Sequence, residues 1–111
     1  EYDYQKICDI AAAPHFTYRD KDVFDMAFLE WDNTARYREK ATIYKGCTPP
    51  IFEKNFRRLV QKAEQKPEGR RFVYINAWNE WAEGTYLEPD EKNGYGYLEA
   101  VQRVMRERTQ D

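Results

Sequence analysis

The sequence predicts an α/β protein with a parallel sheet, because a strand, a loop and a helix follow one another twice along the chain. Two short apolar runs, residues 23–31 and 72–75, supply the candidate strands. The second run does not alternate between apolar and polar residues, which is typical of a parallel strand covered on both faces. Two strands alone rarely form a stable sheet, so either the chain pairs with further strands or it packs in another way.

The helix after the first strand is indicated by its start signal and by its period. Thr48 can accept a hydrogen bond from a free amide, and the prolines at positions 49 and 50 are tolerated in a first helical turn. Apolar side chains then repeat at helical spacing on one face: Phe52, Phe56, Leu59, Val60 and Ala63. The turn at residues 66–69 ends this helix.

The remaining segments are assigned in chain order. We expect a short helix in residues 2–13, stopped by Pro14, and a loop in residues 15–22. Residues 37–46 are polar and predict irregular chain, and residues 90–94 predict a turn. A last amphipathic helix is indicated by Tyr97, Leu98, Val101, Val104 and Met105.

Size and composition exclude several classes of protein. The 111 residues are the size of one domain, and a net charge of -2 gives no reason to expect a nucleic-acid partner. No apolar run approaches the roughly 20 residues of a membrane span, and no signal peptide is visible, so we expect a cytoplasmic location. Cys8 and Cys47 form no CxxC pair and have no histidine nearby, which argues against a metal site and leaves a disulfide open.

Two carboxylates, Glu80 and Glu83, lie three residues apart just after the second strand. If the segment begins a helical turn, they share a face with Cβ atoms about 5–6 Å apart. Cleavage of a glycosidic bond commonly uses such a carboxylate pair, and a short separation fits retention of configuration. The alternative is an ordinary solvated helix face. The density of Asn, Trp and Glu around the pair favours the catalytic interpretation.

The neighbours of the acid pair suit a sugar site. Aromatic rings can stack on pyranose rings, amides can bind hydroxyls, and a further acid can bind a hydroxyl or an arginine. Tryptophan-rich turns, however, more often belong to a core. The candidate substrate-binding residues in this segment are Asn76, Trp78, Asn79, Trp81, Tyr86 and Glu88.

A second polar cluster follows the first strand, at residues 31–36. Its candidate substrate-binding residues are Trp31, Asp32, Asn33 and Arg36. Asp32 and Arg36 could bind hydroxyls, but an ion pair between positions i and i+4 at a helix start is favoured. Because both clusters follow strands, a shared rim at one end of the sheet is plausible.

These motifs resemble the C-terminal motifs of the WbsX-like family. The resemblance covers roughly residues 25–105 and is carried by W-D-N-T-A-R at residues 31–36, T-P at 48–49, N-A-W-N-E-W-A-E-G-T-Y-L-E-P-D at 76–90 and G-Y-L-E-A at 96–100. Members are described as glycosyltransferases of bacterial surface-polysaccharide gene clusters. They are also called glycoside hydrolase family 99-like, after the endo-α-mannosidases of that family.

The resemblance implies a (β/α)8 barrel of which residues 1–111, as a single segment, are the C-terminal portion of the catalytic domain, with about two βα units. It implies that Glu80 deprotonates the sugar 2-hydroxyl and that Glu83 acts as general acid and then as general base, with net retention. The implied substrate is an oligosaccharide or polysaccharide, without metal or organic cofactor. Ala82 stands where the mannosidases carry histidine, so mannose specificity is not implied.

Two alternatives to an enzyme stay open at this point: a non-catalytic glycan-binding module and a structural fragment. Under the barrel interpretation, the earlier βα units and much of the substrate site would lie upstream. We therefore expect the 111-residue chain to be inactive alone. Exposed sheet edges would favour self-association.

Overall fold

Short strands and helices alternate through residues 1–13 and 23–108, which are the residues that the computed structural model describes. The predicted loop at residues 15–22 lies outside them. In chain order the elements are β1 Tyr2–Asp3, α1 Tyr4–Ala12, β2 Asp25–Phe28, β3 Trp31–Asp32, α2 Thr34–Tyr37, a 3₁₀ turn Arg38–Lys40, β4 Ile43–Lys45, α3 Pro49–Glu64, β5 Val73–Asn76, β6 Asn79–Glu80, a 3₁₀ turn Trp81–Glu83, β7 Thr85–Tyr86 and α4 Gly96–Arg108.

The two predicted strands pair in parallel. β2 and β5 run in register from Asp25 opposite Val73 to Phe28 opposite Asn76, and α3 lies between them in sequence. This β–α–β arrangement confirms the α/β class. The carboxyl ends of both strands, Phe28 and Asn76, therefore lie side by side at one edge of the sheet.

A second, three-stranded sheet has the order β1–β4–β3. β1 runs parallel to β4, and β3 runs antiparallel to it. The expectation of irregular chain at residues 37–46 was therefore wrong, since this segment contains a 3₁₀ turn and β4. Its strand depends on pairing with Tyr2 and Trp31, and such distant partners leave no signal in a local window of sequence.

The helix starts follow the capping chemistry that the sequence indicates. Asp3 Oδ1 accepts a hydrogen bond from Lys6 N at 3.0 Å at the start of α1. Thr48 Oγ1 accepts from Ile51 N at 3.5 Å at the start of α3. The predicted helices in residues 2–13 and after Thr48 are confirmed, and α4 confirms the predicted last helix.

The core lies between one face of the β2–β5 sheet and helices α1, α3 and α4. Its buried members are Tyr4, Cys8, Ala27, Leu29, Cys47, Phe52, Phe56, Val60, Leu87, Tyr97, Ala100 and Val104. The other face of the sheet is open: Met26 is 53% exposed and Tyr74 is 59% exposed. The expectation that β5 is covered on both faces was wrong for this chain, because no layer covers that side within the described residues.

The two cysteines are free and buried. Burial raises the pKa of the Cys47 thiol to about 12, and it also raises the pKa of Cys8. The Tyr97 hydroxyl donates to the Cys47 carbonyl oxygen at 3.3 Å, which joins α4 to the chain two residues before the start of α3. Across residues 1–13 and 23–108, no helix is long and apolar enough to cross a membrane.

Candidate functional site

The Thr85 side chain connects the carboxyl ends of the two parallel strands by hydrogen bonds. Its Oγ1 accepts a hydrogen bond from Leu29 N at 3.3 Å and donates to Asn76 O at 2.7 Å. The residue is fully buried. Because one hydroxyl holds the end of β5 and the chain just after β2, the loops that follow both strands begin from a fixed position. Thr85 was not among the predicted site residues, and only its place inside the 76–90 motif could have drawn attention to it.

The acid pair lies on a short hairpin that follows β5. Strands β6 and β7 pair Asn79 with Tyr86 and Glu80 with Thr85. The 3₁₀ turn Trp81–Glu83 connects them, and Gly84 closes it with φ of 68°. Leu87 N donates to Ala77 O at 3.0 Å at the base of the hairpin.

The expectation of a helical turn that carries both glutamates is corrected by this hairpin. Glu80 belongs to β6 and precedes the 3₁₀ turn, whereas Glu83 is the last residue of that turn. Pairing of Glu80 with Thr85 keeps its backbone out of the helical region, with φ of -86° and ψ of 70°. The two carboxylates therefore lie on consecutive elements of one loop.

The two polar clusters meet through an ion pair. Arg36 Nη1 lies 3.5 Å from Glu83 Oε1. The Glu83 side chain is 13% exposed and the Arg36 side chain is 68% exposed. The two clusters thus meet in a shared rim, to which helix α2 contributes the cation and the second 3₁₀ turn contributes the carboxylate.

The prediction of an ion pair between Asp32 and Arg36 was wrong. Asp32 Oδ1 instead accepts hydrogen bonds from the backbone N and the hydroxyl of Thr34, which lower the pKa of the Asp32 carboxyl. Asp32 therefore holds the start of α2 locally, as a short polar side chain commonly does. Arg36 lies one turn further along and faces Glu83 instead.

An open groove lies beside the ion pair. It has a volume of about 300 Å³ and is lined by Asn33, Ala35, Arg36, Ala82 and Glu83. Asn33 Oδ1 accepts from Thr42 N at 2.7 Å, so this side chain also holds the loop between α2 and β4. The small side chains of Ala35 and Ala82 leave room between the two loops.

The aromatic residues of the 76–90 segment form part of the same rim. The rings of Trp81 and Tyr86 stack with centroids 3.7 Å apart and an angle of 12°. Trp81 Nε1 donates to Glu88 Oε1 at 3.2 Å. The Tyr86 hydroxyl donates to Asp90 Oδ2 at 2.8 Å, and burial together with Asp90 raises the Tyr86 pKa to about 12.

The tryptophans of this segment do not belong to the core. Trp78 is 54% exposed and Trp81 is 48% exposed. Asn79 is exposed and Asn76 is half-buried, with its backbone carbonyl engaged by Thr85. Large aromatic rings open to solvent beside carboxylates can bind a ligand that offers both an apolar face and hydroxyl groups.

The described part of the chain contains no group of three or more His, Cys, Asp or Glu side chains placed to hold a metal ion. The expectation of a reaction without a cofactor stays a prediction. The side chains that the rim offers are carboxylates, one guanidinium, amides and indoles. These groups can bind hydroxyls and can move protons.

The fold and the rim together define an α/β protein whose polar and aromatic side chains gather at the carboxyl ends of two parallel strands. The chain belongs to the WbsX glycosyltransferase family: the sequence profile described as "Glycosyltransferase WbsX" matches residues 1–101. This membership confirms the resemblance and indicates a carbohydrate-related role.

Two curated relatives are similar to this chain. They are proteins named "Uncharacterized protein WxcX" from two strains of Xanthomonas campestris pv. campestris, B100 and ATCC 33913. Each is 42% identical over 76 residues, which are 68% of this chain and 11% of the relative. The chain therefore spans about a ninth of the length of these relatives. No solved structure matches it.

Proposed function

We propose that Glu80 and Glu83 are the catalytic carboxylates of an enzyme that acts on glycosidic bonds of a bacterial surface polysaccharide. The observation that carries this proposal is the ion pair between Arg36 and Glu83, because it brings together polar side chains from the chain after β2 and the chain after β5. Active sites of parallel α/β enzymes are built from such loops. The low exposure of the Glu83 side chain, 13%, fits a group that meets substrate away from bulk solvent.

The two glutamates have different parts in the proposed reaction. Glu80 removes the proton of the sugar 2-hydroxyl, whose oxygen attacks C1 while the bond from C1 to the leaving oxygen breaks. Glu83 gives its proton to that leaving oxygen. The attack of O2 on C1 forms a three-membered ring. Glu83 then takes a proton from the acceptor hydroxyl, whose oxygen attacks C1 and opens this ring. Glu80 returns its proton to O2. Two inversions at C1 give net retention.

The acceptor decides whether the enzyme is a hydrolase or a transferase. Water would give hydrolysis, and a sugar hydroxyl would give glycosyl transfer, with the same two carboxylates. The family description favours transfer. Residues beside the two acids are proposed to bind the glycan: Trp31, Asp32, Asn33, Arg36, Asn76, Trp78, Asn79, Trp81, Tyr86 and Glu88.

We also propose that residues 1–111 form a single segment holding the last two βα units of a (β/α)8 barrel. The β2–α3–β5 unit followed by α4 supports this proposal. So do the exposed side chains of Met26 and Tyr74, which lie on the sheet face that a barrel would enclose. Among the described strands, β2 and β5 pair only with each other and leave an open edge on either side.

A non-catalytic glycan-binding module is the second candidate, and the exposed indoles of Trp78 and Trp81 favour it equally well. The test is an NMR experiment on the full-length protein with manno-, rhamno- and gluco-oligosaccharides. An enzyme of the proposed type converts a panel member, and its first product has the anomeric configuration of the substrate. Binding without conversion of any panel member would favour the module, and an inverted first product would contradict the proposed mechanism.

A further inference from the structure

Thr85 lies directly opposite Glu80 in the hairpin that carries the two proposed catalytic acids. Strands β6 and β7 consist of two residues each, and Glu80 is paired with Thr85 across them. Directly opposite residues of an antiparallel pair present their side chains on the same face, with Cβ atoms about 4.5–5.5 Å apart. The backbone of Thr85 and its side chain therefore both adjoin Glu80.

The Thr85 hydroxyl is inserted between the two parallel strands where they end. It accepts from Leu29 N at 3.3 Å and donates to Asn76 O at 2.7 Å. A hydroxyl can serve both groups because it is a donor and an acceptor at once. Thr85 is fully buried, whereas Glu80 is half-buried. The hairpin is thus attached to both strand ends by one buried side chain.

The two proposed catalytic acids are held by different contacts. Arg36 Nη1 lies 3.5 Å from Glu83 Oε1 and holds that carboxylate from the side of α2. Glu80 is held instead through its backbone pairing with Thr85. Glu83 lies at the far end of the 3₁₀ turn that connects β6 with β7. A change at the Thr85 hydroxyl should therefore displace Glu80 more than Glu83.

We propose that Thr85 is a positioning residue for Glu80 in the reaction. Its two hydrogen bonds fix β7 relative to the ends of the parallel strands, and the pairing of β7 with β6 carries this position to Glu80. This inference rests on the proposed function, in which Glu80 removes the proton of the sugar 2-hydroxyl. A base must lie within hydrogen-bond reach of the proton that it removes, so a displacement of about 1 Å costs much of the rate.

The test compares Thr85→Val with Thr85→Ser in the full-length protein, on manno-, rhamno- and gluco-oligosaccharides and on their 4-nitrophenyl glycosides. Thr85→Val keeps the shape of the side chain and should lower kcat of the folded protein about tenfold or more, with glycan affinity unchanged. Thr85→Ser keeps the hydroxyl and should retain most of the rate. Should Thr85→Val not fold, Thr85→Cys takes its place, because a thiol is a weaker hydrogen-bonding group, and a smaller loss of kcat is expected.

The nitrophenyl glycosides distinguish an effect on Glu80 from an effect on Glu83. Nitrophenolate leaves without a proton from a general acid, so Glu83→Gln should lose less of its kcat/KM on these substrates than on the oligosaccharides. The 2-hydroxyl must lose its proton with either leaving group. Thr85→Val should therefore lose a similar factor on both substrates, as Glu80→Gln does. A clearly smaller loss on the nitrophenyl glycosides would overturn the assignment to Glu80.

Tyr4→Phe is the matched control. The Tyr4 hydroxyl is also buried and donates to Phe28 O at 2.6 Å, so it holds the end of β2 but not the hairpin. This variant should lower stability and leave kcat of the folded protein unchanged. An equal loss of kcat in Tyr4→Phe and Thr85→Val would overturn the positioning role, because the loss would then come from a general loosening of the strand ends.

The outcomes separate this inference from the proposed function. Full turnover by Thr85→Val, together with a large loss in Glu80→Gln, overturns the positioning role alone. Full turnover by Glu80→Gln contradicts both proposals, and so does the absence of any conversion of the panel by wild type.

Discussion

Arg36 Nη1 lies 3.5 Å from Glu83 Oε1, and this ion pair connects the loop after β2 with the loop after β5. The guanidinium is mostly exposed, whereas the carboxylate is mostly buried. Arg36 therefore holds Glu83 from the solvent side of the groove. Under the proposed function, such a contact contributes more to the position of Glu83 than to the stability of the fold, since exposed ion pairs contribute at most about 1 kcal/mol.

Arg36→Ala should lower kcat of the full-length protein about tenfold or more, because a reactive carboxylate that shifts by a fraction of an ångström loses much of its rate. The melting temperature should hardly change. Arg36→Lys should restore part of the rate, and Lys54→Ala, an exposed cation on α3, is the control. An unchanged kcat in Arg36→Ala would show that the ion pair has no part in catalysis.

Thr85→Val should lower the free energy of unfolding by about 2–3 kcal/mol, measured by urea denaturation. The substitution keeps the shape of the side chain but removes the hydroxyl that serves Leu29 N and Asn76 O, and it leaves both backbone groups buried without that partner. Thr85→Ser keeps the hydroxyl and should retain more of the stability. A Thr85→Val variant as stable as wild type would mean that the two hydrogen bonds contribute little to stability.

The stability of the folded chain should fall as pH rises from about 10 to about 12. An unfolded tyrosine releases its proton near 10, whereas folded Tyr86 holds its proton until about 12. The folded state therefore binds more protons across this window, and the free energy of unfolding decreases as pH increases. Below pH 10 the contribution of Tyr86 to the free energy of unfolding is fully present.

Tyr86→Phe removes one of the hydroxyls whose pKa is raised by folding. The free energy of unfolding should therefore decrease less steeply with pH in this variant. Burial also raises the pKa of Tyr4 and Tyr97, so part of the decrease should persist in the variant. The measurement is a series of urea denaturation curves between pH 9 and 12. Superimposable pH profiles for wild type and Tyr86→Phe would refute this account of Tyr86.

Trp78→Ala should weaken glycan binding about five- to tenfold without lowering the melting temperature, because the indole is 54% exposed. Trp81→Ala should lower both the glycan affinity and the melting temperature, since it also removes the stacking on Tyr86 and the hydrogen bond to Glu88. Isothermal titration with the oligosaccharide panel and thermal denaturation separate the two effects. A fall in melting temperature as large in Trp78→Ala as in Trp81→Ala would argue for a structural role of both indoles.

Local chemistry explains what could be predicted from the sequence. Thr48 with its two prolines and the helical spacing of Phe52 and Phe56 are short-range signals, and the helix they predict is present. The short apolar run before the 76–90 motif was likewise sufficient to find β5. The candidate residues of the two clusters also came from local patterns, and the structure brings Arg36 and Glu83 together.

The features that could not be predicted depend on distant partners. β4 exists because Tyr44 pairs with Tyr2 and Trp31, which are far from it in sequence. The pairing of Arg36 with Glu83, instead of with Asp32, follows from the local use of Asp32 by Thr34 and from the parallel pairing of β2 with β5. No local spacing rule contains either of these relationships.

The central claim is that Glu80 and Glu83 perform the chemistry. The most direct measurement is the turnover of a glycan substrate by full-length Glu80→Gln and Glu83→Gln variants, with Glu91→Gln, an exposed acid in the turn before α4, as the matched control. We predict a loss of about 10²–10⁴-fold in kcat for each of the first two, with glycan affinity largely retained, and no loss for the control. Full turnover by both Glu80→Gln and Glu83→Gln would contradict the assignment.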